Sequence, residues 1–128
     1  MKLESALTRL KQVEVTAVNF AGTWRNQLGS TMKLTIVGDL VSGSYESAVS
    51  SSGSTIVGKL TGYTNGDLIS FVVNWPSAAI TAWVGQLIND DGYDIVQTLW
   101  QMTTNIPDAS EPTSMWQSVF AGTDRFHR

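Results

Sequence analysis

The sequence predicts an all-β fold, an eight-stranded antiparallel up-and-down β-barrel. From Asn19 onward, period-2 stretches rich in Val, Ile, Thr and Trp alternate with short Gly, Asn, Asp and Ser clusters. That is the pattern of half-buried strands joined by turns. Eight such stretches follow one another with links of hairpin length, so sequence neighbours are expected to pair. Closing such a sheet removes both sticky edges. Eight strands enclose a space just wide enough for side chains or one small ligand. A two-sheet sandwich built from the same strands is the competing architecture at this level.

The elements follow in order. Residues 1–18 stand apart as an N-terminal tail or leader remnant, and 19–128 form the barrel. Leu3, Leu7 and Leu10 recur at helical spacing, which would suit a short amphipathic helix. Helices that short are marginal alone, so a mobile tail is the expectation. Strands are expected near Ala21–Asn26, Met32–Val37, Val41–Tyr45, Thr55–Tyr63, Leu68–Trp75, Thr81–Ile88, Tyr93–Met102 and Ser114–Phe126. Asn65-Gly66 and Asp91-Gly92 are dipeptides of tight hairpins, tolerant of positive φ. Pro76 follows a strand, where it removes no ladder hydrogen bond. Pro107 and Pro112 bracket a polar loop before the last strand.

A chain of 128 residues fits one domain with one core. It has no cysteine and no Cys/His cluster, so neither disulfides nor a structural metal staple it. The net charge is −3 with scattered basic residues, without the positive stripe that nucleic-acid backbones require. No apolar run approaches the roughly 20 residues of a membrane span. Neither nucleic acid nor membrane is therefore an expected partner. The only histidine, His127, lies in the C-terminal tail, and there is no thiol nucleophile, HExxH motif or phosphate loop. Asp90-Asp91 sits at a turn, where solvation accounts for it. No catalytic residue, cofactor or metal is expected. Five tryptophans in a chain only 15% charged are unusual, because Trp is hard to bury fully and prefers a wet edge. Core filling with an interface, or an aromatic-lined pocket, would each explain them.

Six segments carry a resemblance. They are Gly22-Thr23-Trp24-Arg25-Asn26-Gln27-Leu28-Gly29-Ser30, Gly43-Ser44-Tyr45-Glu46-Ser47-Ala48-Val49, Asn74-Trp75, Thr81-Ala82-Trp83-Val84-Gly85-Gln86, Gln97-Thr98-Leu99-Trp100 and Trp116 to Phe126. In this order, with tryptophans at these places, they resemble the avidin/streptavidin family of biotin-binding barrels from Phe20 to Phe126. The resemblance implies a streptavidin-like barrel that holds biotin at its open end without chemistry. It also implies a secreted or periplasmic protein, although Met1–Gln12 lacks the apolar run of a signal peptide. A lipocalin-like module for another small apolar ligand is the alternative.

Biotin presents a ureido carbonyl, two ureido N–H groups, a thioether, an aliphatic chain and a carboxylate. A buried carbonyl needs donors to replace its lost water. By resemblance Asn26, Ser30 and Tyr45 supply them. Asp124 and Ser47 match the acceptors for the N–H groups, and Thr81 the hydroxyl facing the sulfur. Trp75, Trp83 and Trp100 would be walls, with Val49 and Met102 adding apolar surface, while Trp24 matches a core residue below the pocket. The family's counterpart of Trp116 reaches into a neighbouring subunit's site, which implies a homotetramer sharing Trp116. One departure concerns the carboxylate. A family hydroxyl is replaced by Ala79, which leaves Ser77 and the serine-rich segment around Ser51 to hold that end.

Overall fold

The computed structural model describes residues 1–10, 17–48, 53–114 and 118–128, with the side chain of residue 112 excepted. Eight strands close into one barrel in sequence order, each antiparallel to the next. They are β1 Gly22–Arg25, β2 Thr31–Val37, β3 Leu40–Ser47, β4 Ile56–Asn65, β5 Leu68–Asn74, β6 Ala79–Asp90, β7 Tyr93–Thr104 and β8 Val119–His127. The closed topology excludes the sandwich.

The two ends of the barrel are built differently. At the base, β2–β3, β4–β5 and β6–β7 are joined by two-residue turns. Asp91 and Gly92 both have positive φ, 54° and 88°, as a type I′ hairpin requires. The β4–β5 turn is offset by one from the expected dipeptide. Asn65 pairs with Leu68, so Gly66 and Asp67 are the central residues, and glycine comes first with φ 60°. That is the II′ arrangement. At the other end, the mouth, the links from β1 to β2, β3 to β4, β5 to β6 and β7 to β8 are all longer. The longer links bring additional side chains to that end.

The inward faces follow the two-residue period. Trp24, Met32, Leu34, Val41, Leu60, Ile69, Phe71, Val73, Val96 and Phe126 fill the barrel, and Phe20 closes the base. Trp24 lies in this core, with its indole N–H donated to the Phe20 carbonyl at 2.9 Å.

One segment differs from expectation. The last strand begins at Val119 rather than Ser114. A 3-10 turn at Asp108–Ser110 and a helical turn, α2 at Glu111–Ser114, precede it. Pro112 falls in the first turn of α2, where its missing N–H leaves no bond unmade. At the N-terminus a short helix, α1 at Leu3–Leu7, matches the leucine spacing and buries no residue. Among the described residues, no helix is long and apolar enough to cross a membrane.

Candidate ligand-binding site

The site starts with the turn after β1. Asn26 uses its side-chain oxygen locally, accepting the backbone N–H groups of Leu28 and Ser30 at 3.0 Å each. This Asx turn leaves the amide nitrogen to point into the barrel. There it donates to the Tyr45 hydroxyl at 3.1 Å and to Asp124 Oδ1 at 3.3 Å. The Ser30 hydroxyl accepts the backbone N–H of Ala48 at 3.0 Å, which ties the β1–β2 turn to the end of β3.

Tyr45 is buried on β3. Burial pushes its pKa well above the ordinary tyrosine value, the negative charge of Asp124 adds to the rise, and a hydrogen bond from Ser30 opposes it. The phenol therefore keeps its proton and remains a donor.

Asp124 arrives from β8 and is only 7% exposed. Its Oδ2 accepts the Trp83 indole N–H at 2.9 Å, and its Oδ1 accepts the Gln27 side-chain amide at 2.9 Å as well as Asn26. Its backbone carbonyl accepts the hydroxyl of buried Thr98 at 3.1 Å. A buried carboxylate is tolerated when donors surround it in this way.

Aromatic rings frame this polar cluster. Trp83 is stacked between Phe71, at 4.9 Å and 17°, and Tyr45, at 5.0 Å and 26°. It is 3% exposed, so it forms a floor that also orients Asp124, more than the wall expected of it. Trp75 stands edge-on to Tyr45 at 5.6 Å and donates its indole N–H to the Thr81 hydroxyl at 2.9 Å. Two glycines make room for the remaining indoles. A Cβ at Gly122 would lie 2.7 Å from Trp100, and one at Gly58 would lie 2.3 Å from Val73 and 2.9 Å from Trp75.

These groups enclose a cavity of about 220 Å³ at the mouth. Ten residues named from the sequence line it: Asn26, Ser30, Tyr45, Ser47, Trp75, Thr81, Trp83, Trp100, Met102 and Asp124. Ser77 is exposed in the β5–β6 link and lies outside that lining. Ala79 instead lines a neighbouring concavity of about 350 Å³ with Thr103, Thr104 and Glu111. Val49, Ser51 and Trp116 lie outside the described residues. Larger hollows at the base, such as the 620 Å³ one between Asp90 and Arg128, lack a converging set of buried polar groups.

The sequence reading missed two side chains at the mouth, Leu28 in the lining and Gln27 on Asp124. Both sit inside the first resembling segment, but a turn's residue types do not reveal which side chains fold inward. Chemically the arrangement can hold a ligand and little else. It brings together donors, one carboxylate and apolar walls, while His127 lies on the exposed base end of β8. Among the described residues no cluster could hold a metal ion.

The model of the avidin family matches residues 14–128. The chain belongs to the avidin family. That family consists of non-catalytic binders, and this chain is not an enzyme. Solved structures agree. Xenavidin is similar at 31% identity over 88% of this chain and 99% of its own, with a TM-score of 0.77. A biotin-binding protein from chicken is similar at 29% identity over 84% of this chain and 94% of its own, with a TM-score of 0.72. Apo shwanavidin gives 27%, 88% and 98%, with a TM-score of 0.69.

Proposed function

We propose that this avidin-family chain captures biotin reversibly and with high affinity in the mouth cavity. The observation that carries the reading is the connected set Asn26, Ser30, Tyr45 and Asp124 at the bottom of a tryptophan-walled cavity. A purely apolar ligand would leave those groups without a role, which argues against the lipocalin-like alternative. A ureido ring uses them all. Its carbonyl takes hydrogen bonds from Asn26, Ser30 and Tyr45, and its N–H groups donate to Asp124 and Ser47. Thr81 faces the sulfur, with its oxygen already engaged by Trp75 so that its proton points elsewhere. Trp75, Trp100 and Met102 cover the aliphatic part. The carboxylate leaves by the mouth toward Ser77 and the neighbouring concavity.

Assembly is part of the proposal. Val84 and Leu99 face one another across β6 and β7 and are 62% and 67% exposed. Val72, Ile80 and Phe120 are further exposed apolar residues of β5, β6 and β8. An apolar surface of this kind suits burial against further copies, in a homotetramer where Trp116 completes a neighbour's site.

Titration with biotin, followed by tryptophan fluorescence and by thermal melting, tests the reading. A ligand held only by the folded state adds about 4 kcal/mol at 1,000 times its Kd, so the melting temperature should rise by many degrees. An unchanged melting curve in excess biotin would remove the proposal.

A further inference from the structure

The barrel closes at a thin seam. β1 has four residues and pairs with β8 at one position, Arg25 with His127. Toward the mouth, where Asp124 must be held in place, this short ladder gives no support. The side chain of Gln27 spans that stretch. Its Oε1 accepts the backbone N–H of Arg125 at 3.1 Å, and its Nε2 donates to Asp124 Oδ1 at 2.9 Å. The peptide donor at Arg125 fixes which end of the amide is oxygen. One primary amide thus supplies the acceptor that a neighbouring strand would offer and the donor that a carboxylate needs.

We propose that Gln27 is a positioning residue that sets the rotamer of Asp124 for ligand capture. Oδ2 is held by Trp83 and Oδ1 by Gln27, with Asn26 further away at 3.3 Å. When a ligand carbonyl draws the Asn26 amide toward itself, Gln27 still holds Oδ1, so the carboxylate presents its remaining lone pairs without swinging. The ligand side of this inference rests on the biotin reading. Gln27 is itself exposed, and water competes for its bonds, so the effect is modest, roughly three- to tenfold in Kd.

The test uses the full chain and two substitutions. Gln27→Met keeps the bulk and removes both hydrogen bonds. Gln27→Glu keeps the acceptor for Arg125 N–H but has no donor until it is protonated. Among the described residues, the titratable groups facing position 27 are Asp124 on β8 and, beyond Asn26, Tyr45 on β3, while the Arg125 guanidinium is turned to Asp90 at 2.9 Å. A glutamate beside Asp124 holds its proton above the usual value of about 4.3. Biotin binding by Gln27→Glu, relative to wild type at the same pH, should therefore be weak at about pH 8 and recover toward about pH 5, as protonation restores the donor. Gln27→Met should lose its roughly three- to tenfold at either pH. It should lose nothing further in an Asp124→Ala background, because it acts only through that carboxylate. In ligand-free protein the Trp83 indole N–H resonance should also move in Gln27→Met. Unequal losses in the two backgrounds together with a shifted Trp83 resonance uphold the proposal, and any other combination overturns it. If wild type fails to bind biotin, the biotin reading falls by itself, and the ligand-free Trp83 resonance alone then decides whether Gln27 holds Asp124.

Discussion

At the residue scale the site runs on proton positions. Tyr45 matters because it stays protonated where an exposed tyrosine would begin to ionise. Its pKa is raised in the fold, so the folded state keeps a proton that the unfolded chain releases above about pH 10. Stability linked to Tyr45 is then fully present below about pH 10 and falls as pH climbs toward the raised folded value. Melting temperatures from pH 8 to 11.5 should show a steeper alkaline decline in wild type than in Tyr45→Phe. Parallel curves would mean that the phenol is less buried than described. Biotin affinity should be flat through neutral pH as far as Tyr45 is concerned. Removing polar partners should cost more. Asp124→Ala leaves a ligand N–H unpaired and frees the Trp83 indole, which costs about 1–3 kcal/mol, or roughly five- to 150-fold in Kd. Calorimetry showing both Asp124→Ala and Tyr45→Phe within about twofold of wild type, well below that loss, would put the pocket elsewhere.

At the element scale, function follows from the contrast between short base turns and longer mouth links. Asn26, Ser30, Tyr45, Ser47 and Thr81 lie in a mouth link or within three residues of one, while Asp124 reaches the site from the middle of β8. Much of this was legible in the sequence. The period-2 stretches of Met32–Val37 or Leu68–Trp75 state their own secondary structure, and turn chemistry marked Asp91-Gly92 directly. The start of β8 was not legible, because Ser114 to Ser118 has no alternation to show where pairing begins. Gln27 and Leu28 escaped for a related reason. In a turn, side-chain direction depends on backbone angles that residue type alone does not set. The glycines under the indoles also escaped, since close approach is a property of two strands together. Gly122→Ala tests that point. Its Cβ would sit 2.7 Å from Trp100, so the indole must move into the cavity or the strands must part. Overpacking of this kind costs about 1–3 kcal/mol of stability. Biotin dissociation should accelerate together with a shift in tryptophan emission. A variant with wild-type dissociation would show that Trp100 yields without affecting the site.

At the scale of the whole molecule, one barrel leaves two needs unmet. Its β5–β8 wall exposes apolar side chains, and on the proposed reading its site takes a tryptophan from another copy. Association answers both at once if Trp116 caps a neighbouring cavity. The coupling can be tested from the wall and not from the cap. Val84 points outward from β6 at 62% exposure and takes no part in lining the cavity. Val84→Arg should therefore leave the barrel folded and its own site intact. Across a tight interface, however, it buries charges that have no partner, which costs several kcal/mol and should split the assembly into smaller units. Light scattering reads the mass, and fluorescence reads biotin binding on the same samples. If Trp116 is shared, the dissociated variant should bind biotin more weakly although every cavity residue of its own chain is unchanged. Adding Trp116→Ala to Val84→Arg should then weaken binding no further, because the tryptophan has already been withdrawn from its neighbour. Wild-type affinity in a fully dissociated Val84→Arg protein would show that each barrel completes its own site, and that the exposed wall serves assembly alone.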